Sequence, residues 1–226
     1  MGLGNSGIHD NGVDSITIGG TASGARNIIS GNSGDGLSLS GSSLTVQGNF
    51  IGTDVTGTKA VGNNAGVSFG GNNNLIGGTT AAARNVISGN RNRGIGLGGN
   101  FSGNSIQGNY VGVDVSGTKA LGNGNEGVAL FSATPHNNLI GGVASSPGVP
   151  PGNVISNNAV DGINLNGTND NTIQGNIIGA DATGTVAMGN TDDGVVISNG
   201  VGNVIGGTTA GTANIIAFNG AGGSGG

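Results

Sequence analysis

Apolar and polar positions alternate along this chain in short bursts. Gly36-Leu-Ser-Leu39, Gly66-Val-Ser-Phe69, Gly94-Ile-Gly-Leu97, Gly127-Val-Ala-Leu130, Gly162-Ile-Asn-Leu165 and Gly194-Val-Val-Ile197 open successive units 28 to 35 residues apart. Period-two alternation over so few residues predicts β-strand, because a helix would repeat its apolar face every three to four positions. A second strand follows a short turn, centred on Val46, Ile76, Ile106, Ile140, Ile173 and Ile205, and is usually introduced by Asn: Asn74, Asn104, Asn138, Asn171, Asn203. A third is carried by a block that returns seven times: Asn27-Ile-Ile-Ser-Gly-Asn32, Asn49-Phe-Ile-Gly-Thr-Asp54, Asn85-Val-Ile-Ser-Gly-Asn90, Asn109-Tyr-Val-Gly-Val-Asp114, Asn153-Val-Ile-Ser-Asn-Asn158, Asn176-Ile-Ile-Gly-Ala-Asp181 and Asn214-Ile-Ile-Ala-Phe-Asn219.

Repetition on this scale is architecture before it is chemistry. Three short strands per unit, turned by Gly and Asn because both tolerate positive φ, predict an all-β solenoid of three parallel sheets and about seven coils. Coils stacked about 4.8 Å apart make a rod about 30 Å long. Regular repeats are expected over residues 12–219, starting with a partial turn through Gly12-Val-Asp-Ser-Ile16, inside a single domain of residues 1–226 that closes in a flexible Gly/Ser tail at 220–226. Coils alternate between two types. One carries the loop Asp54 to Asn63, repeated as Asp114 to Asn123 and Asp181 to Asn190, after its third strand; the other carries Ile76 to Arg84, matched by Ile18 to Arg26 and Ile205 to Ala213, before it.

Composition separates this solenoid from its look-alikes. Only 34% of the 226 residues are hydrophobic and 53 are Gly, values that would suit a disordered chain. Here, however, the apolar residues are β-branched, periodic and bounded by Asn and Gly, and Gly falls on no three-residue collagen period. A net charge of −5 repels phosphate backbones, so nucleic acid is a poor partner. No apolar run approaches the roughly 20 residues of a spanning helix, so no membrane insertion is expected, and any export signal would lie outside this sequence. The absence of Cys removes disulfides and thiolate metal sites.

The chain resembles the right-handed parallel β-helix proteins of the pectin-lyase-like superfamily, and among them the Gly/Asn-rich β-helix repeats of large bacterial exported or surface proteins. The resemblance implies an extracellular or cell-surface location. It implies little about activity, since that superfamily includes polysaccharide lyases, glycoside hydrolases, epimerases, phage tailspikes and purely structural segments. No catalytic motif of those enzymes transfers residue by residue.

Stacking turns equivalent residues into ladders. The ladder Asn27, Asn49, Asn85, Asn109, Asn153, Asn176, Asn214 predicts amide side chains bonded coil to coil over a left-handed backbone. Five residues on, Asn32, Asp54, Asn90, Asp114, Asn158, Asp181, Asn219 alternate amide and acid, which would hold carboxylates about 9.6 Å apart and manage their repulsion. Lys59 and Lys119 become Val186, and Arg26 and Arg84 become Gly152 and Ala213, so these are expected to be solvated loop charges. Tyr110 is expected half buried in the wall, the insertion Val143 to Gly152 an exposed stiffened loop, and His9 and His136 no part of a metal site.

One edge concentrates charge. The residues preceding each opening Gly are Asp35, Ala65, Arg93, Glu126, Asp161 and Asp193, with Asp192 beside the last. Carboxylates on consecutive coils, about 5 Å apart, and on alternate coils, about 9.6 Å apart, span the separations used by retaining and inverting glycosidases. Glu126, Asp161 and Asp193 are therefore the candidate catalytic residues and Arg93 and Asp192 the candidate substrate-binding ones; no dedicated metal site is assigned, although calcium is a candidate ligand for the same acids. Against catalysis stand the bland alternative of an Asp before a turn Gly, the absence of Trp and an aromatic content of 3%. The leading expectation is a non-enzymatic structural or binding module of a larger secreted or surface bacterial protein. It would contact polysaccharide or neighbouring repeats of its parent chain and associate end to end through unpaired strand edges. The alternative is a polysaccharide lyase or glycoside hydrolase acting in a groove along one sheet, with an ice-binding array a distant third for want of a regular Thr face.

Overall fold

The computed structural model, which describes residues 5–99, 101–131 and 136–220, is a parallel β-solenoid of three all-parallel seven-stranded sheets. Each strand pairs with the strand three positions on in sequence, so every coil contributes one strand to each sheet. Among the described residues the only helical turn is a 3-10 turn at Ala81–Ala83, and no helix is long and apolar enough to cross a membrane. Gly220 apart, the expected tail lies outside the described residues.

The stack starts earlier than residue 12. Ile8–His9 pairs in parallel with Leu37–Leu39, and the Gly7 N–H donates to the Asp35 carbonyl at 2.9 Å as Gly36 does to Ala65. Ile8 and His9 stand beside Leu37 and Ser38, so Asp10 falls where that coil has its second apolar residue, Leu39. Asp10 is nonetheless buried, and its carboxylate accepts the N–H groups of Val13, Ser40 and Gly41. With an acid at the second apolar position, no alternation announces this strand.

Apolar burial follows the strand period. Inward residues such as Leu37, Val46, Ile51, Val67, Ile76 and Ile87 form one cluster running through the coils. The first two sheets show an outer face that is only partly covered, as in Leu37–Leu39 and Thr45–Gln47. The middle strands of the third sheet are buried on both faces: Phe50–Ile51, Val86–Ile87, Tyr110–Val111, Val154–Ile155 and Ile177–Ile178. Ile51, Ile87, Val111, Ile155 and Ile178 point into the main core. Phe50, Val86, Tyr110, Val154 and Ile177 form a second cluster outside the sheet.

That second cluster is roofed by the loops of alternate coils. Each is a tight hairpin, tied by the antiparallel bridges Thr53 with Ala60, Val113 with Ala120 and Ala180 with Ala187. Gly57 and Gly117 lie so close to the Phe50 and Tyr110 rings that a Cβ would approach them to 2.8 and 2.7 Å. Successive hairpins touch across the intervening coil, with Val115 N–H donating to Gly57 O at 3.0 Å and Ala182 N–H to Gly117 O at 2.8 Å. The hairpin base is held by a serine one coil earlier. Ser30, Ser88 and Ser156 donate Oγ–H to the Thr53, Val113 and Ala180 carbonyls at 2.7 Å each and accept the Gly52, Gly112 and Gly179 N–H groups. Those glycines have φ of 89°, 84° and 94°, which explains why the fourth residue of the repeated block alternates Ser and Gly through its first six copies, the seventh having Ala217.

Asparagine ladders close the corners. Between the second and third sheets Asn27, Asn49, Asn85, Asn109, Asn153, Asn176 and Asn214 bond side chain to side chain at 2.9 to 3.2 Å. The backbone detail differs from expectation, since none of these Asn has positive φ. In three coils the left-handed residue is the glycine just before, Gly48, Gly108 or Gly175. A further ladder runs from Asn104 through Asn138 and Asn171 to Asn203, and Asn74 joins it by donating its backbone N–H to Asn104.

The expected Asn/Asp alternation is not a ladder. The stacked residues are Asn32, Asn63, Asn90, Asn123, Asn158, Asn190 and Asn219, linked at 2.7 to 3.0 Å. Asp54, Asp114 and Asp181 stand at the start of the hairpins, and the chain rejoins the stack only at the Asn that ends each loop. Equal sequence spacing from the preceding Asn misled because the hairpin is inserted between the two.

Candidate functional site

The charged edge lies at the corner between the third and first sheets, and its register is as expected. Gly36, Gly66, Gly94, Gly127 and Gly162 donate N–H to the carbonyls of Ala65, Arg93, Glu126, Asp161 and Asp193 at 2.9 to 3.0 Å. Glu126, Asp161 and Asp193 therefore occupy consecutive coils, with Arg93 one coil before.

Their side chains divide into two groups. Arg93 Nε lies 3.7 Å from Glu126 Oε2, a pair in which Glu126 is nearly buried, and the guanidinium sits 4.6 Å from the Phe131 ring centroid. Gly96 makes room for it: a Cβ there would meet Arg93 Cδ at 2.7 Å. Asp161 is held by hydrogen bonds instead. Its buried carboxylate accepts Asn164 Nδ2–H at 2.8 Å and the Asp193 backbone N–H at 3.2 Å. Asp35 likewise accepts a backbone N–H of the next coil, that of Ala65 at 3.1 Å, and takes its amide donor, Asn64 Nδ2–H at 2.9 Å, from that coil as well. Asp35 and Asp161 thus staple their coils to the next one. Asp192 and Asp193 are exposed, and among the described residues no three His, Cys, Asp or Glu side chains gather closely enough to hold a metal ion.

Beside Arg93 a shallow groove of about 350 Å³ crosses the outer face of the first sheet. Ser38, Ser68 and Gly96, stacked in register, form its floor, and Arg93 and Phe131 contribute to its wall. The volume falls at the low end of small-ligand sites. Arg93 Nε and Glu126 Oε2 are both buried without a hydrogen-bond partner, an uncommon state for charged groups. The sequence signal for the floor is the run of small outward residues in consecutive strand openings; Phe131 and its stacking on Arg93 carried no comparable signal.

The remaining charges are structural to a degree the sequence did not suggest. Arg26 and Arg84, expected to be solvated, lie over the Phe50 and Tyr110 rings at 4.0 and 3.8 Å from the centroids. Each also donates Nε–H to a carbonyl of the next coil, Gly48 and Gly108, at 3.1 and 3.0 Å. Burial pulls the Arg84 guanidinium below its ordinary value, while Tyr110 acts in the opposite direction. Tyr110 is buried, not half buried. Where the ring is replaced by Ile177, the Arg is replaced too: the 143–152 insertion folds in, its Gly148 packed against Ile177 and Val154. That loop, expected to be exposed, is thus partly buried.

Asp54, Asp114 and Asp181 clasp their hairpins. Asp54 accepts Thr56 Oγ1–H and the N–H groups of Thr58 and Lys59. Asp114 accepts Ser116 Oγ–H and Lys119 N–H, and Asp181 accepts Thr183 Oγ1–H and the Thr185 and Val186 N–H groups. The Lys position contributes its N–H and, at Asp54 N to Lys59 O, Asp114 N to Lys119 O and Asp181 N to Val186 O, its carbonyl, so Val186 replaces Lys without loss. His9 bonds Ser38 and Asn11. Comparison with protein-family models, with curated proteins and with solved structures finds no match to this chain.

Proposed function

We propose that this chain is a structural β-solenoid module, a stiff rod segment of a larger exported or surface protein, and that its polar residues serve coil stacking more than catalysis. The observation that carries this reading is the use of polar groups to hold the stack: the Asn ladders, the Ser ties and Asp161 spend hydrogen bonds between coils, and the Asp clasps spend theirs within their own hairpins. Membership of the pectin-lyase-like superfamily and the right-handed sense of the coil belong to the same proposal, on the strength of the repeat pattern. The test is thermal unfolding with calcium and with chelator, for the chain and for an Asp161→Asn, Asp193→Asn variant, followed by a panel of oligosaccharides. Midpoints independent of calcium and sugar support the rod. A calcium-dependent midpoint lost in the variant sinks it.

A second reading is favoured by one feature, the groove on the first sheet with Arg93 and Phe131 in its wall. A ligand rich in hydroxyls, such as a polysaccharide, would lie along its floor of Ser38, Ser68 and Gly96. Because Glu126 is paired with Arg93 and Asp161 with the neighbouring coil, that reading is binding in preference to lyase or hydrolase chemistry. Oligosaccharide affinity abolished by Arg93→Ala supports it; a panel without binding removes it.

A further inference from the structure

On the outer face of the first sheet, register stacks His9, Ser38, Ser68 and Gly96 in one row. His9 is the only titratable residue of that row, whose later members are Ala129, Asn164 and Val196. Its two ring nitrogens have different partners: Nδ1 lies 3.2 Å from Ser38 Oγ and Nε2 lies 2.9 Å from Asn11 Oδ1. An amide oxygen only accepts, so Nε2 carries the proton and Nδ1 turns its lone pair to the serine hydroxyl.

The local fold holds this geometry. Asp10, next in the chain, is buried and accepts the N–H groups of Val13, Ser40 and Gly41, which pins the first strand to the coil that carries Ser38. Gly12, at φ of 80°, lets the chain turn back, and Asn11 reaches the ring of the residue two before it. Ser38 lies on the floor of the groove of about 350 Å³ and is only partly covered, so a substrate can reach it. Ser68, one coil on, lines the same groove and brings a second hydroxyl beside the first.

We infer that Ser38, His9 and Asn11 form a hydrolytic site for esters of small acyl groups, with Ser38 as nucleophile, His9 as general base and Asn11 as positioning residue. A nucleophile and a base within hydrogen-bond reach, with the base oriented by a third group, is the arrangement acyl transfer needs; Cys-His-Asn sites use the same three roles. Ser38 Oγ gives its proton to His9 Nδ1 and attacks the ester carbonyl carbon. The carbonyl electron pair moves onto oxygen, where Ser68 Oγ–H is the available donor. Collapse restores the carbonyl, breaks the ester C–O bond and sends the alcohol out with the proton from His9. Water, deprotonated by His9, then attacks the acyl-serine; the acid leaves and Ser38 Oγ takes back the proton. This chemistry draws on none of the carboxylates of the charged edge, and neither the rod reading nor the sugar-binding reading depends on it.

The experiment treats the full chain with a fluorophosphonate and locates the adduct by mass spectrometry, then follows p-nitrophenyl acetate hydrolysis by the chain and its variants. One adduct per chain, on Ser38, is expected. Ser38→Ala and His9→Ala should each lower kcat/KM at least about 100-fold, and the double variant no further, because the two act as a unit. Asn11→Ala should lose most of the rate, and Asn11→Asp, which keeps an acceptor oxygen, should restore it. His136→Ala, which removes the chain's other imidazole, should leave the rate unchanged. No adduct, an adduct elsewhere, or hydrolysis that survives Ser38→Ala overturns the inference. So does an equal loss in His136→Ala, the mark of unspecific imidazole catalysis. Should a variant unfold, the adduct on the unaltered chain decides.

Discussion

Asn109→Ala probes the stack at its centre. The Asn109 carboxamide is fully buried; it accepts the Asn85 N–H and Nδ2–H at 3.3 and 2.9 Å and donates to Ile76 O and Asn153 Oδ1 at 2.8 and 3.2 Å. Truncation orphans the Asn85 N–H, worth about 1–3 kcal/mol when buried, and removes three further bonds worth about 0.5–1.5 kcal/mol each. With local relaxation and entry of water, the expected loss is about 3–5 kcal/mol. Asn214, the terminal member of the same ladder, is only partly buried in its contacts with Asn176, so water substitutes and Asn214→Ala should cost about 1 kcal/mol. Urea titration followed by far-UV circular dichroism measures both. The slope against urea checks that the rod still unfolds as a unit, since repeat stacks can split. Equal losses for the two variants, or a loss under about 1 kcal/mol for Asn109→Ala, would refute the claim that the ladder joins the coils.

Acid should loosen the molecule. For Asp54 the Thr58 N–H, with Thr56 and Lys59, holds the carboxyl below its usual range. For Asp10 and Asp181 burial pushes upward, but the combined hydrogen bonds outweigh it and the net direction is again down. Groups depressed in the folded state stabilise it above their unfolded pKa of about 3.9 and lose that contribution as pH falls through the folded value; the melting temperature should be flat from pH 7 to about 5 and fall below about 4. A midpoint that rises on acidification contradicts this. Asp114→Ala should lower the melting temperature while Lys119→Val leaves it within error, since only the backbone of Lys119 enters the clasp; the reverse order would refute the assignment. Arg84→Ala should cost about 1–2 kcal/mol through the lost ring contact and hydrogen bond. Because Tyr110 is the sole Tyr and Trp is absent, increased acrylamide quenching of its fluorescence reports the opening directly, and unchanged quenching would count against it.

The architecture was legible because solenoid sequences write each interaction several times. Strand openings, second strands and the first Asn ladder all repeat with little noise, and their register can be counted. Errors arose where one insertion interrupted the count. Asp54, Asp114 and Asp181 kept the spacing of a ladder residue while the hairpins displaced them from it, and Asn63, Asn123 and Asn190 took their place. The doublets Phe50-Ile51 and Tyr110-Val111 already signalled a sheet buried on both faces; that signal implied a roof, and with it the packed Arg26 and Arg84. The charged edge was placed correctly by register, but sequence gives no side-chain direction. Only the fold separates Asp161, hydrogen-bonded to Asn164 and to the next coil, from Arg93 and Glu126, which pair with each other beside a groove.

Amide hydrogen exchange resolved by residue tests the central claim most directly. If polar ladders carry the stack, the turn amides of Asn49, Asn85, Asn109 and Asn153, each donated to the next Asn Oδ1, will exchange as slowly as the strand amides of Val86 and Ile177, which donate to the preceding coil. Protection will then fall away only at Asn214 and Asn219. Turn amides that exchange at the rate of surface loops while the strands stay protected would contradict the account.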